Sequence, residues 1–204
     1  MSDLFPDPPA VEVGEVKDIY CRKDRSRTDI DYSHCEGCPL QGNPKVWSWR
    51  GDYDASICFI GMNPGAREKF HKLPFVGPSG RKLETRVIRE LSLNDGRKET
   101  VADGETLALS GGFYLTNVVK CWTANNDTPP SDAVNRCWNY LEPELEGREV
   151  IIPLGRLCQK AVRNRYNGPA SIHDMIHPSA ALRKGKFDAR LIKQTKELSE
   201  IIEE

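Results

Sequence analysis

The stretch Ala55-Ser-Ile-Cys-Phe-Ile60, followed at once by Gly61-Met-Asn-Pro-Gly65, decides the fold of this chain. The short, mostly apolar run predicts a strand buried on both faces, as in parallel sheets. The glycines and the proline after it predict that the strand ends in a tight loop. In parallel sheets, ligands bind at loops that leave the carboxyl ends of strands. The loop 61–65 is therefore the first candidate functional segment.

Other short apolar runs alternate with helical patterns along the rest of the chain. Strands are predicted at 113–119 and 149–154, a further short one just before His177, and a loop at 94–111. Alternation of this kind predicts a single α/β domain with three α/β/α layers around a central, mostly parallel four-stranded sheet. Apolar residues at helical spacing predict helices at 80–93, from Ser131 (a possible N-cap) to about 146 with Pro143 shortening it, at 156–166 and at 187–202.

Composition sets the broad class of the protein. The 204 residues are 38% hydrophobic and 29% charged, as in ordinary folded domains. No apolar run reaches the ~20 residues that span a bilayer, and the start lacks the pattern of a signal peptide. We therefore expect a cytoplasmic location and no membrane partner. Residues 1–32 show no period and predict an N-terminal extension to a domain at 33–204.

Seven cysteines are present, and an odd number in a cytoplasmic setting argues against a disulfide framework. Cys58 and Cys158 fall within predicted elements and are expected to pack in the core. Four others can meet at one end of the sheet, because one pair forms a C-x-x-C knuckle, a third follows a predicted strand and the fourth sits in the next helix. These four are Cys35, Cys38, Cys121 and Cys137. They suit a [4Fe–4S] cluster or a structural zinc ion equally well, and buried inert thiols are the third reading.

Several segments occur together in one order along the chain. They are Cys35-Glu-Gly-Cys38-Pro-Leu, Gly61-Met-Asn-Pro-Gly65 with Glu68, Pro74-Phe75-Val-Gly77-Pro-Ser-Gly80, Tyr114-Leu-Thr-Asn117-Val-Val-Lys-Cys121, Cys137-Trp-Asn-Tyr-Leu141, Leu154-Gly155-Arg156 and His177-Pro-Ser-Ala-Ala-Leu-Arg183. In this order they resemble the iron–sulfur uracil-DNA glycosylases, family 4 of that superfamily. The resemblance covers about Cys35 to Arg183 and implies a monofunctional base-excision enzyme that hydrolyses the N-glycosidic bond of uracil in DNA.

The first loop departs from the pattern of family 4. That family usually carries an acidic residue where this chain has Met62, and a small one where it has Asn63. Gly-Met-Asn-Pro-Gly is instead similar to the loop of the single-strand-selective monofunctional branch. Hypoxanthine, xanthine and mismatched thymine therefore stay open as alternative bases.

The resemblance implies roles for residues around a flipped base. Asn63 would place the attacking water, and His177 would donate a hydrogen bond to uracil O2. Asn117 would read the Watson–Crick edge, giving to O4 and taking from N3–H. Phe75 would stack on the base. Around them, Glu68 would lie near uracil C5, and Gly61 and Met62 would complete the pocket.

Contacts to DNA are expected at two segments. Gly77, Ser79 and Gly80 open a helix and could hold a phosphate through backbone N–H groups, and Ser179 follows the candidate histidine. Leu182 or Arg183 could fill the gap left by the flipped base. Net charge is only −1, so local basic residues must contact phosphates. The candidates for such contacts are Lys120, Arg183, Lys184, Lys186 and an arm within residues 1–32.

Three other functions remain open from the sequence. The chain could be a zinc-bound or cluster-bound nucleic-acid-binding module without catalysis, a glycosylase for other bases, or a four-cysteine redox protein. The glycosylase reading predicts a monomer that acts on uracil-containing DNA, single- or double-stranded.

Overall fold

The structure is a computed structural model that describes residues 33–46, 49–91, 98–100, 106–108, 112–181 and 186–203. The predicted extension 1–32 lies outside these residues, as do Leu182, Arg183 and Lys184. Within the described part of the chain, no helix is long and apolar enough to cross a membrane.

Among the described residues, seven strands form two sheets, a central sheet and a small separate pair. In chain order they are β1 (Arg50–Gly51), β2 (Ile57–Gly61), β3 (Lys98–Thr100), β4 (Thr106–Ala108), β5 (Tyr114–Asn117), β6 (Val150–Pro153) and β7 (Ser171–Ile172).

The central sheet has the order β1-β5-β2-β6-β7. The buried run chosen from the sequence is its middle strand, because β2 pairs in parallel with β5 on one side and with β6 on the other. The predicted count of four strands is wrong, since β1 adds a fifth, antiparallel edge. A strand of two residues is too short to show a period-2 pattern in the sequence. The mostly parallel character is as predicted.

The helices lie between and after the strands. Those of regular α type are α1 (Ala66–His71), α2 (Pro78–Leu83), α3 (Ser131–Leu141), α4 (Arg156–Arg163), α5 (Pro178–Ala181) and α6 (Lys186–Glu203). Short 3₁₀ turns occur at Ser33–Cys35, Ala124–Asn126 and Glu142–Leu145, and a π-helical turn at Glu84–Ile88.

Several boundaries differ from the sequence predictions. The helix predicted at 80–93 begins at Pro78, which suits the first turn because proline lacks an N–H. Ser131 does not cap α3, because the cap position is Pro130 and Ser131 is already helical. The 3₁₀ turn that follows α3 contains Pro143, which ends the regular helix as predicted. The predicted loop at 94–111 contains the antiparallel pair β3–β4.

The core lies on both faces of the central sheet. Side chains alternate along β2, so Cys58 and Ile60 pack with α3 and α4 through residues such as Leu141 and Val162. On the other face, Phe59 joins a second cluster that contains Leu83 of α2 and Leu191 and Leu198 of α6. These two clusters give the three layers predicted from the sequence.

The sheet also fixes the loops at its carboxyl edge. The β2–β5 pairing continues past both strands, as the N–H of Val118 donates to Gly61 O at 2.9 Å and that of Val119 to Met62 O at 2.8 Å. Leu154, just after β6, bridges Met175 in parallel. The loop after β2, the segment after β5 and the segment before His177 therefore meet at one edge.

Candidate active site and cysteine cluster

A pocket of about 660 Å³ opens at this carboxyl edge of the sheet. Most of the predicted site residues line it. They are Met62, Asn63, Glu68, Phe75, Gly77, Ser79, Asn117, His177 and Ser179. The structure therefore brings together side chains from loops more than a hundred residues apart in the sequence.

His177 faces the pocket with one ring nitrogen already engaged. The backbone N–H of Ser179 donates to Nδ1 at 3.2 Å, and the Ser179 hydroxyl lies 2.7 Å from the same atom. Since a backbone N–H only donates, Nδ1 acts as an acceptor and carries no proton. Burial also lowers the pKa of His177 below its ordinary value of 6.5. The ring is therefore neutral near pH 7, with its proton on Nε2.

Asn63 is held by a residue that the sequence reasoning missed. Its Nδ2 donates to Thr123 Oγ1 at 3.0 Å, and that hydroxyl donates to the carbonyl of Asp127 at 2.6 Å. Thr123 is almost fully buried, with 4% of its surface exposed. A threonine six residues beyond Asn117 was the available signal, but the sequence alone does not place it against Asn63.

Asn117 and Phe75 pack against a strand residue that has no side chain. Gly61 is paired with Asn117 in the β2–β5 register. A Cβ at position 61 would lie 2.3 Å from Asn117 Oδ1 and 2.6 Å from Phe75 Cζ. Gly61 therefore does not line the pocket itself but leaves the room that these two side chains occupy.

The backbone of Phe75 has an unusual conformation, with φ of +56°. Two neighbours fix it. The buried guanidinium of Arg50 donates to Phe75 O at 2.8 Å, and Gly80 packs so closely that a Cβ there would lie 1.7 Å from the same oxygen. Non-glycine residues adopt such backbone angles only when their surroundings impose them. Arg50 is thus a second residue missed from the sequence, since its partner lies 25 positions away.

Glu68 is 9% exposed, so it is not a solvated loop residue. Its Oε1 accepts a hydrogen bond from Gly77 N at 3.2 Å. The N–H of Gly77, which was predicted from the sequence to bind a DNA phosphate, therefore already donates to a side chain within the protein. Ser79 lines the pocket, whereas Gly80 serves the packing around Phe75.

Lys120 does not contact solvent, and its predicted role as a phosphate contact is wrong. The side chain is fully buried, and its Nζ donates to Glu144 Oε2 at 2.9 Å and to Thr116 Oγ1 at 2.8 Å. The apolar residues just before it were the signal for burial, because a lysine next to a buried strand needs an internal partner.

The rim of the pocket carries an exposed apolar side chain. Leu157, near the start of α4, has 51% of its surface exposed and lines the opening together with Arg67. Neither residue was singled out from the sequence, because a single leucine or arginine carries no pattern that marks the rim of a pocket.

The four predicted ligand cysteines are all buried. Their exposed fractions are 9% for Cys35, 9% for Cys38, 3% for Cys121 and 4% for Cys137, and none is in a disulfide. Burial, together with the charges of Cys137, Cys35 and Cys38, raises the pKa of Cys121 to about 12. All four thiols are therefore largely removed from water, and Cys121 lies near enough to the other three to interact with their charges.

Four thiolates are the donor set of two kinds of group. A structural zinc ion binds four thiolates at about 2.3 Å, and a [4Fe–4S] cluster binds four thiolates at its separate irons. Among the described residues, no three His, Cys, Asp or Glu side chains are grouped closely enough to hold a single metal ion. The chemistry of the four thiols therefore suits either group.

The other two described cysteines pack in the core, as predicted. Cys58 and Cys158 are fully buried, and the Cys158 thiol donates to Ile60 O at 3.1 Å. Burial raises the pKa of Cys58 to about 12. Such thiols are inert at neutral pH.

Comparison with known proteins identifies the family of this chain. Residues 49–204 match the family model described as the uracil DNA glycosylase superfamily. A type-4 uracil-DNA glycosylase of Thermotoga maritima is 35% identical over 175 residues, which are 78% of this chain and 83% of that protein.

Two archaeal type-4 uracil-DNA glycosylases are similar as well. That of Archaeoglobus fulgidus is 34% identical over 150 residues, 72% of this chain and 60% of its own length. That of Saccharolobus solfataricus is 34% identical over 131 residues, 60% of this chain. The alignment spans about half, 51%, of the Saccharolobus protein.

Proposed function

This chain belongs to the uracil-DNA glycosylase superfamily, and from that premise we propose that it excises uracil from DNA by hydrolysing the N-glycosidic bond. The observation that carries the proposal is the neutral His177 in one pocket with Asn63, Asn117 and Phe75. The product is an abasic site, and the protein forms no covalent bond to DNA.

The reaction needs few protein groups. As the C1′–N1 bond breaks, positive charge develops on the sugar and negative charge on the leaving uracil. His177 Nε2–H donates to uracil O2 and stabilises the departing anion. A neutral donor suits this step because its proton stays on the protein while the anion leaves. Water then adds to C1′, and its proton passes to solvent or to the released base.

Asn63 orients the water, since its amide can accept a hydrogen bond but is a poor base. Asn117 at the end of β5 donates to O4 and accepts from N3–H, a pattern that cytosine lacks. Phe75 offers its ring to the face of the base, and base–aromatic stacking contributes ~1–3 kcal/mol. Glu68 stands near C5 and limits the space for a methyl group there.

A second candidate substrate has support from the same asparagine. Hypoxanthine and xanthine present a carbonyl beside an N–H, the pattern that Asn117 would read in uracil. The pocket volume of about 660 Å³ leaves room for a purine. A panel of uracil, hypoxanthine, xanthine and thymine in otherwise identical oligonucleotides ranks these bases by kcat/KM.

Contacts to DNA come from the pocket rim. Ser79 offers its hydroxyl to the backbone beside the flipped nucleotide, and exposed Leu157 packs against the neighbouring base or sugar. Ser179 acts through His177, because its N–H and its hydroxyl both lie against Nδ1. From the sequence we also propose that Leu182 or Arg183 fills the gap left by the flipped base. We place the protein in the cytoplasm, where its free thiols stay reduced, and we expect it to act as a monomer.

The four cysteines hold a [4Fe–4S] cluster in this proposal. Cys35, Cys38, Cys121 and Cys137 would be its ligands, and when bound it supplies a cross-link between the knuckle, the segment after β5 and α3. Iron and inorganic sulfide in purified protein support this assignment, whereas stoichiometric zinc without iron contradicts it and favours the zinc alternative.

The test is release of uracil from a labelled oligonucleotide, single-stranded and paired with guanine or adenine. Wild type should excise the base, and His177→Ala should lower kcat by about 10²–10³, the cost of removing one such donor. Asn63→Ala should lower it by about 10² through a misplaced water.

Matched controls separate chemistry from folding. His173→Ala changes a histidine outside the pocket whose Nε2 contacts Ser171, and Asn139→Ala changes an exposed asparagine on α3. Both should keep wild-type kcat. Equal losses in the control and pocket variants, or no excision by wild type that contains an intact cluster, would overturn the proposed activity.

A further inference from the structure

Asn63 can serve the reaction only if the correct end of its amide faces the pocket. The oxygen can accept a hydrogen bond from water and hold its lone pair toward the sugar, whereas the NH₂ group would turn the water the other way. The two ends have nearly the same shape, so packing alone does not select between them. Some neighbour has to distinguish oxygen from nitrogen.

Thr123 makes this distinction through the single proton of its hydroxyl. That proton is donated to the carbonyl oxygen of Asp127 at 2.6 Å, across the 3₁₀ turn Ala124–Asn126. The hydroxyl has no second proton, so toward Asn63 it can only accept. It accepts from Asn63 Nδ2 at 3.0 Å. The amide nitrogen is thereby drawn away from the pocket.

The remaining contacts of the amide agree with this orientation. Nδ2 also lies 3.5 Å from the carbonyl of Pro64, so its second proton faces an acceptor as well. No residue that the structure describes donates to Asn63 Oδ1. The oxygen is therefore the atom left for a ligand from the pocket.

The backbone keeps Thr123 in place. The N–H groups of Val118 and Val119 bind the carbonyls of Gly61 and Met62, which ties the segment leading to Thr123 to the loop that carries Asn63. The contact therefore rests on sheet pairing rather than on two flexible loops.

We propose that Thr123 is a positioning residue that fixes the amide of Asn63 with its oxygen toward the attacking water. This role rests on the proposed function, because it concerns the same water. Thr123 itself contacts neither base nor sugar, so its loss should change kcat and leave KM nearly constant.

The decisive variants are Thr123→Val, which keeps the shape and removes the hydroxyl, and Thr123→Ser, which keeps the hydroxyl. Loss of one neutral hydrogen bond corresponds to a factor of about five to ten, so Thr123→Val should lower kcat by about tenfold. Thr123→Ser should restore most of it. Thr195→Val is the matched control, because Thr195 is also buried and binds a backbone carbonyl, in α6.

A double-mutant comparison separates positioning from folding. In an Asn63→Ala background there is no amide to orient, so Thr123→Val should cause little further loss. The same tenfold loss in both backgrounds, or a loss in Thr195→Val equal to that in Thr123→Val, would overturn the proposal.

A second measurement does not depend on uracil release. The side-chain NH₂ of Asn63, identified by its absence in Asn63→Ala, should exchange slowly with solvent by NMR in wild type and in Thr123→Ser. It should exchange quickly in Thr123→Val. If the Asn63 NH₂ is as well protected from exchange in Thr123→Val as in wild type, the proposed orientation of the amide is wrong, whichever base the wild type excises. Absence of uracil release with normal protection contradicts only the proposed activity.

Discussion

The pocket and the cysteine cluster lie near the same segment after β5 but are built in different ways. In the pocket, three polar side chains already have a protein partner: His177 has Ser179, Asn63 has Thr123 and Glu68 has Gly77. At the cysteine cluster, four buried thiols come from three segments. The Cys35 thiol lies 3.6 Å from the Tyr140 hydroxyl.

This difference shows where the stability of each region comes from. The pocket is assembled by sheet pairing and neutral hydrogen bonds, so it should form whenever the sheet forms. Four buried thiols give little stabilisation by themselves, and as thiolates they would repel each other. In the proposed cluster their arrangement would become favourable on iron binding, because binding energy at such sites is folding energy.

The largest expected effect comes from breaking the cluster. Cys137→Ser should abolish iron binding and most of the folded protein, since it removes a ligand from α3. Iron content and thermal melts by circular dichroism measure this. Cys158→Ala is the control: it truncates an equally buried thiol outside the cluster and should keep iron and fold. If Cys137→Ser protein is colourless, stable and active, the region around the four cysteines folds without iron, as the pocket does.

A smaller effect should follow from blocking the pocket while leaving the cluster intact. In Gly61→Ala the new methyl would lie 2.3 Å from Asn117 Oδ1 and 2.6 Å from Phe75 Cζ, so both side chains must move. Displacements near 1 Å at an active site cost about 10²-fold in rate.

Iron content should stay normal in Gly61→Ala, and uracil release measures the loss. Gly42→Ala in the knuckle region is the control, because its added methyl meets no atom within 4 Å. Full activity in Gly61→Ala would contradict the placement of the base between Asn117 and Phe75.

The smallest expected effect is on the pH profile. In the proposed mechanism the neutral form of His177 is the active one, and burial lowers the pKa of this residue below 6.5. At pH 6.5, where an ordinary histidine is half charged, kcat should therefore stay well above half of its plateau. It should fall only at more acidic pH.

Stability should change over the same range. The unfolded chain takes up the proton near pH 6.5, whereas the folded state does so only at lower pH. Folding stability is therefore lost as pH falls from 6.5 toward the folded-state pKa. Urea unfolding of wild type and His177→Ala at several pH values isolates the contribution of His177 to the pH dependence of the free energy of unfolding. An activity midpoint at or above pH 6.5 would contradict a buried neutral ring.

Features with a local signal could be predicted from the sequence. The apolar run 55–60 was correctly placed at the centre of the sheet, and the C-x-x-C knuckle and the two candidate loops carried their own residue patterns. The bounds of α2 were less accurate, and the pair β3–β4 was missed within the predicted loop 94–111, because the capping and turn signals of these segments are weak.

Features that depend on distant partners could not be predicted. Arg50 reaches Phe75 across the β1 edge, Thr123 meets Asn63 across 60 positions, and Lys120 finds Glu144 across 24. Each of these residue types is usually exposed, so only the three-dimensional contact reveals its role. These contacts determine the backbone conformation at Phe75, the anchoring of Asn63 and the burial of Lys120, none of which follows from spacing in the sequence.

The run 117–123 has a consequence for how this protein can evolve. One extended segment carries the proposed base-reading Asn117, sheet pairing, a buried ion pair, a thiol and the anchor of Asn63. A substitution changes the side chain at one of these positions and leaves the register of the others unchanged. A single inserted or deleted residue, however, would shift everything beyond it to the opposite side of the chain. Homologues with this architecture should therefore differ in the residue types of this segment and keep its length.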